Sequence, residues 1–174
     1  AEGKQKEPYK DIEGNYTQPD ALTGEQRIAA DAIKSAIDEG RQENFLIHGV
    51  TASGKTQVYM EVISECLDRG RTAIVLVPEI SLTGQLIERF VGRFGKEAIA
   101  VMHSRLTQRE RYDEWQRIRS GKAKIVIGAR MGVFAPLANI GAIIMDEEHE
   151  ASYKSDMTPK YDTVEIALKR TAAW

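Results

Sequence analysis

The chain has 174 residues, a formal net charge of −2 and 42% hydrophobic residues. That length suits one domain with a buried core, and the near-balanced charge leaves any contact with a polyanion to a local patch rather than to the whole surface. Its single cysteine excludes a disulfide framework or a cysteine zinc cluster and points to a reducing compartment. No apolar run is long enough to cross a bilayer, and the sequence reads as having no signal peptide. It opens on Ala1 rather than Met, which makes an excised piece of something longer the expectation.

Residues 1–21 are polar, with Pro19 and almost no aliphatic side chains. They read as an arm or linker, with Tyr9, Ile12 and Tyr16 as the groups able to pin it to the domain. From residue 22 the pattern changes to that of a folded domain. Ala29, Ala32, Ile33, Ala36 and Ile37 make one apolar helical face, and Gly40 ends it. Gln26 in the first turn has two compatible readings. Thr23 and Gln26 have capping-box spacing, and a side-chain amide is also able to pair bidentately with adenine.

The next element, Asn44-Phe45-Leu46-Ile47-His48, reads as a short buried strand, with His48 in a structural role. It runs into Gly49-Val50-Thr51-Ala52-Ser53-Gly54-Lys55-Thr56, which fits G-x-x-x-x-G-K-S/T, and a helix follows with Val58, Val62, Ile63 and Cys66 at helical spacing and Gly70 behind. A strand, a glycine loop and a helix are the setting of a phosphate cradle. The glycines let the backbone approach closely, and successive N–H groups point inward at the positive end of the helix. Lys55 then sits between the β- and γ-phosphates of a nucleotide such as ATP, with the Thr56 hydroxyl on Mg²⁺. Cys66 reads as core filling.

Thr72–Val77, Ala98–Met102, Ala123–Ile127 and Gly141–Met145 are four more apolar strands. Helices lie between them: one striped by Leu86, Ile87, Phe90, Val91 and Phe94, another opened by the capping pair Thr107 and Glu110 and closed by Gly121. Such alternation specifies an α/β chain with a mostly parallel sheet covered on both faces and ligands at the carboxyl ends of its strands. The last strand ends in Asp146-Glu147-Glu148-His149, which brings carboxylates to the same edge as the glycine loop. There Asp146 is placed to hold Mg²⁺ through water, Glu147 to orient and deprotonate an attacking water, and His149 to relay the state of the γ-phosphate. Acidic residues in the first turn of a helix are the plainer alternative for this stretch.

Together, GVTASGKT and DEEH resemble the first RecA-like motor domain of superfamily 2 helicases. Finer matches resemble the primosomal replication-restart helicases over roughly residues 22–170. They are Leu22 to Gln26, Val77-Pro78-Glu79-Ile80-Ser81-Leu82-Thr83, His103-Ser104, Ile127-Gly128-Ala129-Arg130, Phe134 to Leu137, Ser152-Tyr153-Lys154 and Pro159-Lys160-Tyr161. Branch-migration helicases of the RecG type are the nearest rival. The resemblance implies a RecA-like three-layer P-loop fold, with 22–174 as part of a first motor domain that is C-terminally truncated relative to a full one. It also implies ATP and Mg²⁺ as ligands and 3′-to-5′ movement on single-stranded or forked DNA in a bacterial cytoplasm, associated with the nucleoid. Primosome and replication-restart proteins would be partners, with no membrane role, and zinc would belong to a module outside this chain.

The resemblance assigns Gln26 to adenine, and Pro78, Glu79, Gly128 and Arg130 to the tracked DNA strand. Tyr153, Lys154 and Tyr161 fall in a DNA-responsive aromatic loop; as plain chemistry the two tyrosines fit either base stacking or packing beneath a loop. His103 has a counterpart in the family and also reads as a satisfied strand-end histidine. Ala52 stands where relatives often carry Gly, which is tolerated if its φ is negative. The family's next strand, which lies between the P-loop strand and the DEEH strand, would come after Trp174. The expectation is therefore a direct pairing, a gap, or an exchange of elements between copies that makes a dimer. A nucleotide-switched docking module and a small-molecule kinase are the other functional readings.

Overall fold

Five consecutive buried residues, Thr72–Leu76, form β1 at the centre of the sheet in this computed structural model, which describes residues 12–14, 21–50, 53–155 and 160–172. Parallel partners flank β1 on both sides: β3 (Ile125–Gly128) and β4 (Ile140–Met145), with β2 (Ile99–Met102) beyond β3. The order is β2-β3-β1-β4. Ile74 lies opposite Val126 on one side and Ile143 on the other, so a one-residue slip would turn every side chain of β1 to the wrong face.

Successive side chains of β1 feed two cores. Ala73, Val75 and Val77 join Ile125 and Ile127 beneath α2 (Lys55–Asp68) and α3 (Gly84–Phe94), with Met60, Ile63, Ile87 and Phe90 facing them. On the other face, Ile74, Leu76 and Val126 meet Ile118 of α4 (Gln108–Arg119), Ala167 of α5 (Thr163–Ala172), and Val133 and Leu137. A fully buried aliphatic side chain of this kind stabilises by about 1.5–3 kcal/mol, so the two-sided sheet holds most of the fold's driving force. The result is the expected three-layer α/β architecture.

The helix signals are realised. α1 (Gly24–Asp38) starts with the Thr23–Gln26 capping box and α4 with the Thr107–Glu110 box. Glu61 ties α1 to α3 through α2, accepting from Lys34 at 3.0 Å and Arg93 at 2.7 Å. Of the arm, Ile12 packs against the first core, and a Cβ on Gly14 would lie 2.6 Å from the Gly92 backbone of α3. Tyr9 and Tyr16 fall outside the described residues.

The expected strand at Asn44–His48 is not a strand. Residues 41–50 have no regular structure, and Leu46 is 83% exposed. A short apolar run becomes a strand only when a ladder partner satisfies its backbone, and β4 is hydrogen-bonded to β1 alone among the described strands. Direct pairing of residues 44–48 with β4 is therefore absent, and among the described residues a gap lies on that side of the sheet. For the same reason β4 is half-buried along its whole length rather than buried.

Candidate nucleotide site

The start of α2 is shaped for close approach. Gly54, its N-cap, has φ +80°, and a Cβ there would come 2.2 Å from Gln26 Nε2; an L-side chain at that position is strained by its backbone alone. Both ends of the Gln26 amide are engaged. Thr23 N–H donates to Oε1 at 3.1 Å, and Nε2 donates to the Ser53 carbonyl at 3.1 Å. Gln26 therefore caps α1 and clamps the glycine loop at once. Lys55 Nζ folds back on that loop, donating to the carbonyls of Gly49 at 2.6 Å and Val50 at 3.2 Å. Val50 and Ser53 are exposed and Thr56 is half-buried. The candidates Thr51 and Ala52 lie outside the described residues.

Across from this loop, β4 delivers Asp146, whose N–H is held by the Leu76 carbonyl at 2.8 Å. Its Oδ1 accepts the Tyr59 hydroxyl at 3.0 Å and the Glu147 N–H at 3.2 Å. Burial, followed by the nearby Asp146 carboxylate, pushes the Tyr59 hydroxyl well above the usual phenol range, so it stays a donor. Glu147 has φ +49°, an unusual backbone for a non-glycine residue and one that clusters at functional sites. Glu147, Glu148 and His149 are exposed. Gly49, Gly54, Lys55, Thr56, Tyr59 and Asp146 all line one cavity of about 1100 Å³, which runs on between residues 44–48 and β4 as the gap in the sheet. The two motifs thus share a rim.

Among the described residues no cluster of three or more His, Cys, Asp or Glu is able to hold a metal by itself. A carboxylate and a threonine hydroxyl on residues lining one cavity instead suit Mg²⁺, which keeps much of its water shell and is commonly held by one or two carboxylates together with substrate phosphates.

Several expected DNA contacts are placed differently. Tyr153 is only 2% exposed. Its hydroxyl reaches the Asp146 carbonyl at 2.6 Å and the Leu76 carbonyl at 3.0 Å, and Thr163 donates to its own carbonyl at 2.6 Å. It is a core tyrosine, not a stacking platform, because the apolar face beneath α5 takes its ring. Pro78 is buried behind β1, and Gly128 is buried at the end of β3, where a Cβ would lie 2.6 Å from the Met102 carbonyl. Close strand packing accounts for that glycine without a ligand. Glu79 is exposed and accepts a hydrogen bond from Ser104. Arg130 donates to the Lys154 carbonyl at 2.9 Å, and so steadies the short hairpin of β5 (Lys154–Ser155) and β6 (Tyr161–Asp162). Lys154 and Lys160 are exposed, and Tyr161 packs edge-on against Phe134 at 5.2 Å.

His103 is 6% exposed and accepts the Arg105 N–H at 3.2 Å. Burial, with Arg105 adding to it, holds its pKa below the ordinary histidine value. His48, read as structural, is exposed on the cavity rim. Cys66 is fully buried, and its thiol is pushed up to about 12 by burial.

Sequence reasoning passed over Tyr59. Its signal was available: it lies three residues after Thr56 and four after Lys55, on the face of the helix that they share.

The DEAD/DEAH box helicase model matches residues 26–173. The chain belongs to that family. It is 50% identical over 165 residues to the replication restart protein PriA of Bacillus subtilis (strain 168), which covers 95% of this chain and 20% of that protein. It is 47% identical over 152 residues to PriA of Treponema pallidum (strain Nichols), covering 87% and 22%. The chain thus spans about a fifth of the length of these relatives. Among solved structures, RecG bound to a three-way DNA junction overlays with a TM-score of 0.66 at 23% identity, over 90% of this chain and 24% of that one. That likeness shows the shared α/β fold.

Proposed function

We propose that this chain is the nucleotide-binding part of a first motor domain, residues 22–174 with an arm at 1–21, in a longer ATP-dependent 3′-to-5′ DNA helicase of replication restart and primosome assembly. One observation carries the reading: Lys55 and Thr56 from the start of α2 and Asp146 and Glu147 from the end of β4 open onto a single cavity. The PriA likeness supports the restart role.

In this reading the phosphates of ATP enter over the start of α2, and Lys55 exchanges the Gly49 and Val50 carbonyls for phosphate oxygens. Thr56 and Asp146 are the residues that would hold Mg²⁺, which when bound neutralises charge on the β- and γ-phosphates. Glu147 takes the proton of the attacking water, and exposed His149 relays the phosphate state. Gln26, now clamping the loop, is the group that meets adenine. Glu79, Arg130, Lys154 and Tyr161, at the carboxyl edge of the sheet and in the hairpin, face a single DNA strand, with forked DNA and primosome proteins as the partners of the longer protein. Zinc belongs to a further module of that protein, which works in the bacterial cytoplasm at the nucleoid.

Arginine fingers from a second motor domain are worth about 10³–10⁵ in rate, so the 174 residues alone bind nucleotide and hydrolyse it poorly. The gap in the sheet also favours exchange of elements between copies of this chain.

The test is ATP turnover by the full-length protein with and without single-stranded DNA. DNA should stimulate turnover, and Glu147→Gln should reduce it by about 10²–10⁴-fold, the usual contribution of a general base, with nucleotide binding retained. Turnover that survives Glu147→Gln, or ignores DNA, contradicts the reading; a nucleotide-switched docking module would keep its docking activity in Glu147→Gln, and a small-molecule kinase would show no response to DNA.

A further inference from the structure

Tyr59 of α2 hydrogen-bonds the DEEH motif directly, and the reading above gives it no task. It is 7% exposed, with its ring among core residues and its hydroxyl at the cavity, where it meets Asp146 Oδ1 at 3.0 Å. The Glu147 N–H donates to the same oxygen at 3.2 Å. Two donors therefore converge on Oδ1, and among the described residues Oδ2 receives no hydrogen bond. A carboxylate pinned by one oxygen presents the other in a fixed direction, which is how outer-shell donors orient a group that serves a metal. Helix spacing adds a second point. Lys55, Thr56 and Tyr59 occupy adjacent turns of one face of α2, so one rigid element carries the phosphate-binding amine, a magnesium-facing hydroxyl and the donor that aims the acid across the cavity.

We infer that Tyr59 is a positioning residue: its hydroxyl holds the Asp146 carboxylate so that Oδ2 faces the divalent cation of the bound nucleotide. The inference rests on the nucleotide-site reading above and extends it to a residue outside both motifs. A core tyrosine whose hydroxyl merely finds a convenient acceptor is the plainer account, and the two differ in what they predict for metal binding.

Tyr59→Phe removes one oxygen atom and keeps the ring. In the full-length protein, Mn²⁺ binding in the presence of ADP is read by electron paramagnetic resonance, and ADP binding in chelator is read by calorimetry. Positioning predicts a ~10–100-fold loss of Mn²⁺ affinity, the usual effect of removing an outer-shell partner, with metal-free ADP affinity within about twofold of the parent. It also predicts that Tyr59→Phe adds no further loss in an Asp146→Asn background, because the residue acts through that carboxylate. Unchanged Mn²⁺ affinity overturns the inference alone, as does equal loss of metal-free ADP binding, which would make the hydroxyl a structural support. Absence of any Mn²⁺–ADP complex in the unmodified protein overturns the inference together with the site reading beneath it.

Discussion

The two edges of the sheet are treated in opposite ways. At β2 the outer backbone is plugged: Glu114 of α4 accepts the Val101 N–H at 3.1 Å, and Arg117 donates to the Ile99 carbonyl at 3.0 Å and to the carbonyls of Lys96 and Glu97. The two plugging side chains are themselves paired at 2.8 Å. At β4 nothing comparable occurs among the described residues; the strand is half-buried, and across the cavity Phe45 and Leu46 remain exposed. Exposed strand edges are pairing templates that proteins ordinarily cover. A sheet that closes one edge with a dedicated ion pair and, among the described residues, leaves the other open beside the cavity has a finished side and an open side.

Matched glycines break this comparison most strongly. Gly128→Ala on the finished side places a Cβ 2.6 Å from the Met102 carbonyl; backbone cannot yield there, and a loss of ~2–3 kcal/mol is expected from overpacking. Gly141→Ala on the open side meets Cys66 Sγ at 2.8 Å and Arg71 Cβ at 2.9 Å; β4 is held by β1 alone among the described strands and has more room to shift, so ~1–2 kcal/mol is expected. Urea denaturation of both variants checks the order, and equal losses would remove the distinction.

Glu114→Ala comes next. It leaves the Val101 N–H without its acceptor, costing about 1–3 kcal/mol, whereas Glu114→Gln keeps an acceptor oxygen and costs less. Equal effects would make the plug a packing contact.

On the open side, Leu46→Lys should leave stability within about 0.5 kcal/mol, as for most surface changes, and lower self-association. Light scattering across a concentration series reads this, and association that is unaltered would place the sticky surface elsewhere.

The smallest effect concerns pH. His103, at the end of β2, has a folded-state pKa held below its ordinary value of 6.5, chiefly by burial. The unfolded chain therefore binds the proton first as pH falls. The stability it contributes is intact above 6.5 and is lost on acidification from there through the lower folded value. Thermal melts of His103→Asn should be flatter over that window; an unchanged slope assigns the pH dependence to other groups.

What was legible in the sequence follows the same division. β1, β2 and β3 are apolar on both faces; β1 and β3 lie between neighbours and the outer edge of β2 is covered by α4, so local pattern and final environment agree. Thr23 with Gln26, and Thr107 with Glu110, settle their helix starts within one turn, so spacing was enough to place them. Asn44–His48 has strand composition, yet whether it pairs depends on an element far away in sequence, and that information is not local. Tyr153 illustrates a different limit. Its ring suits a base or a core equally, and only the placement of α5, which no motif marked, decides for the core. In the site, Lys55 and Asp146 were readable because each belongs to a recognisable motif. The Tyr59–Asp146 contact joins residues 87 apart in sequence and appears only once α2 lies against β4.

The central claim is that Lys55 and Asp146 act on the same nucleotide from opposite sides of one cavity. Calorimetry of ADP binding with and without Mg²⁺ tests it most directly, on the parent, Lys55→Ala and Asp146→Asn proteins. The account predicts that Lys55→Ala weakens binding with or without the metal, while Asp146→Asn leaves metal-free binding unchanged and abolishes the tightening by Mg²⁺. Full tightening by Mg²⁺ in Asp146→Asn, or metal-free affinity unaffected by Lys55→Ala, would contradict it.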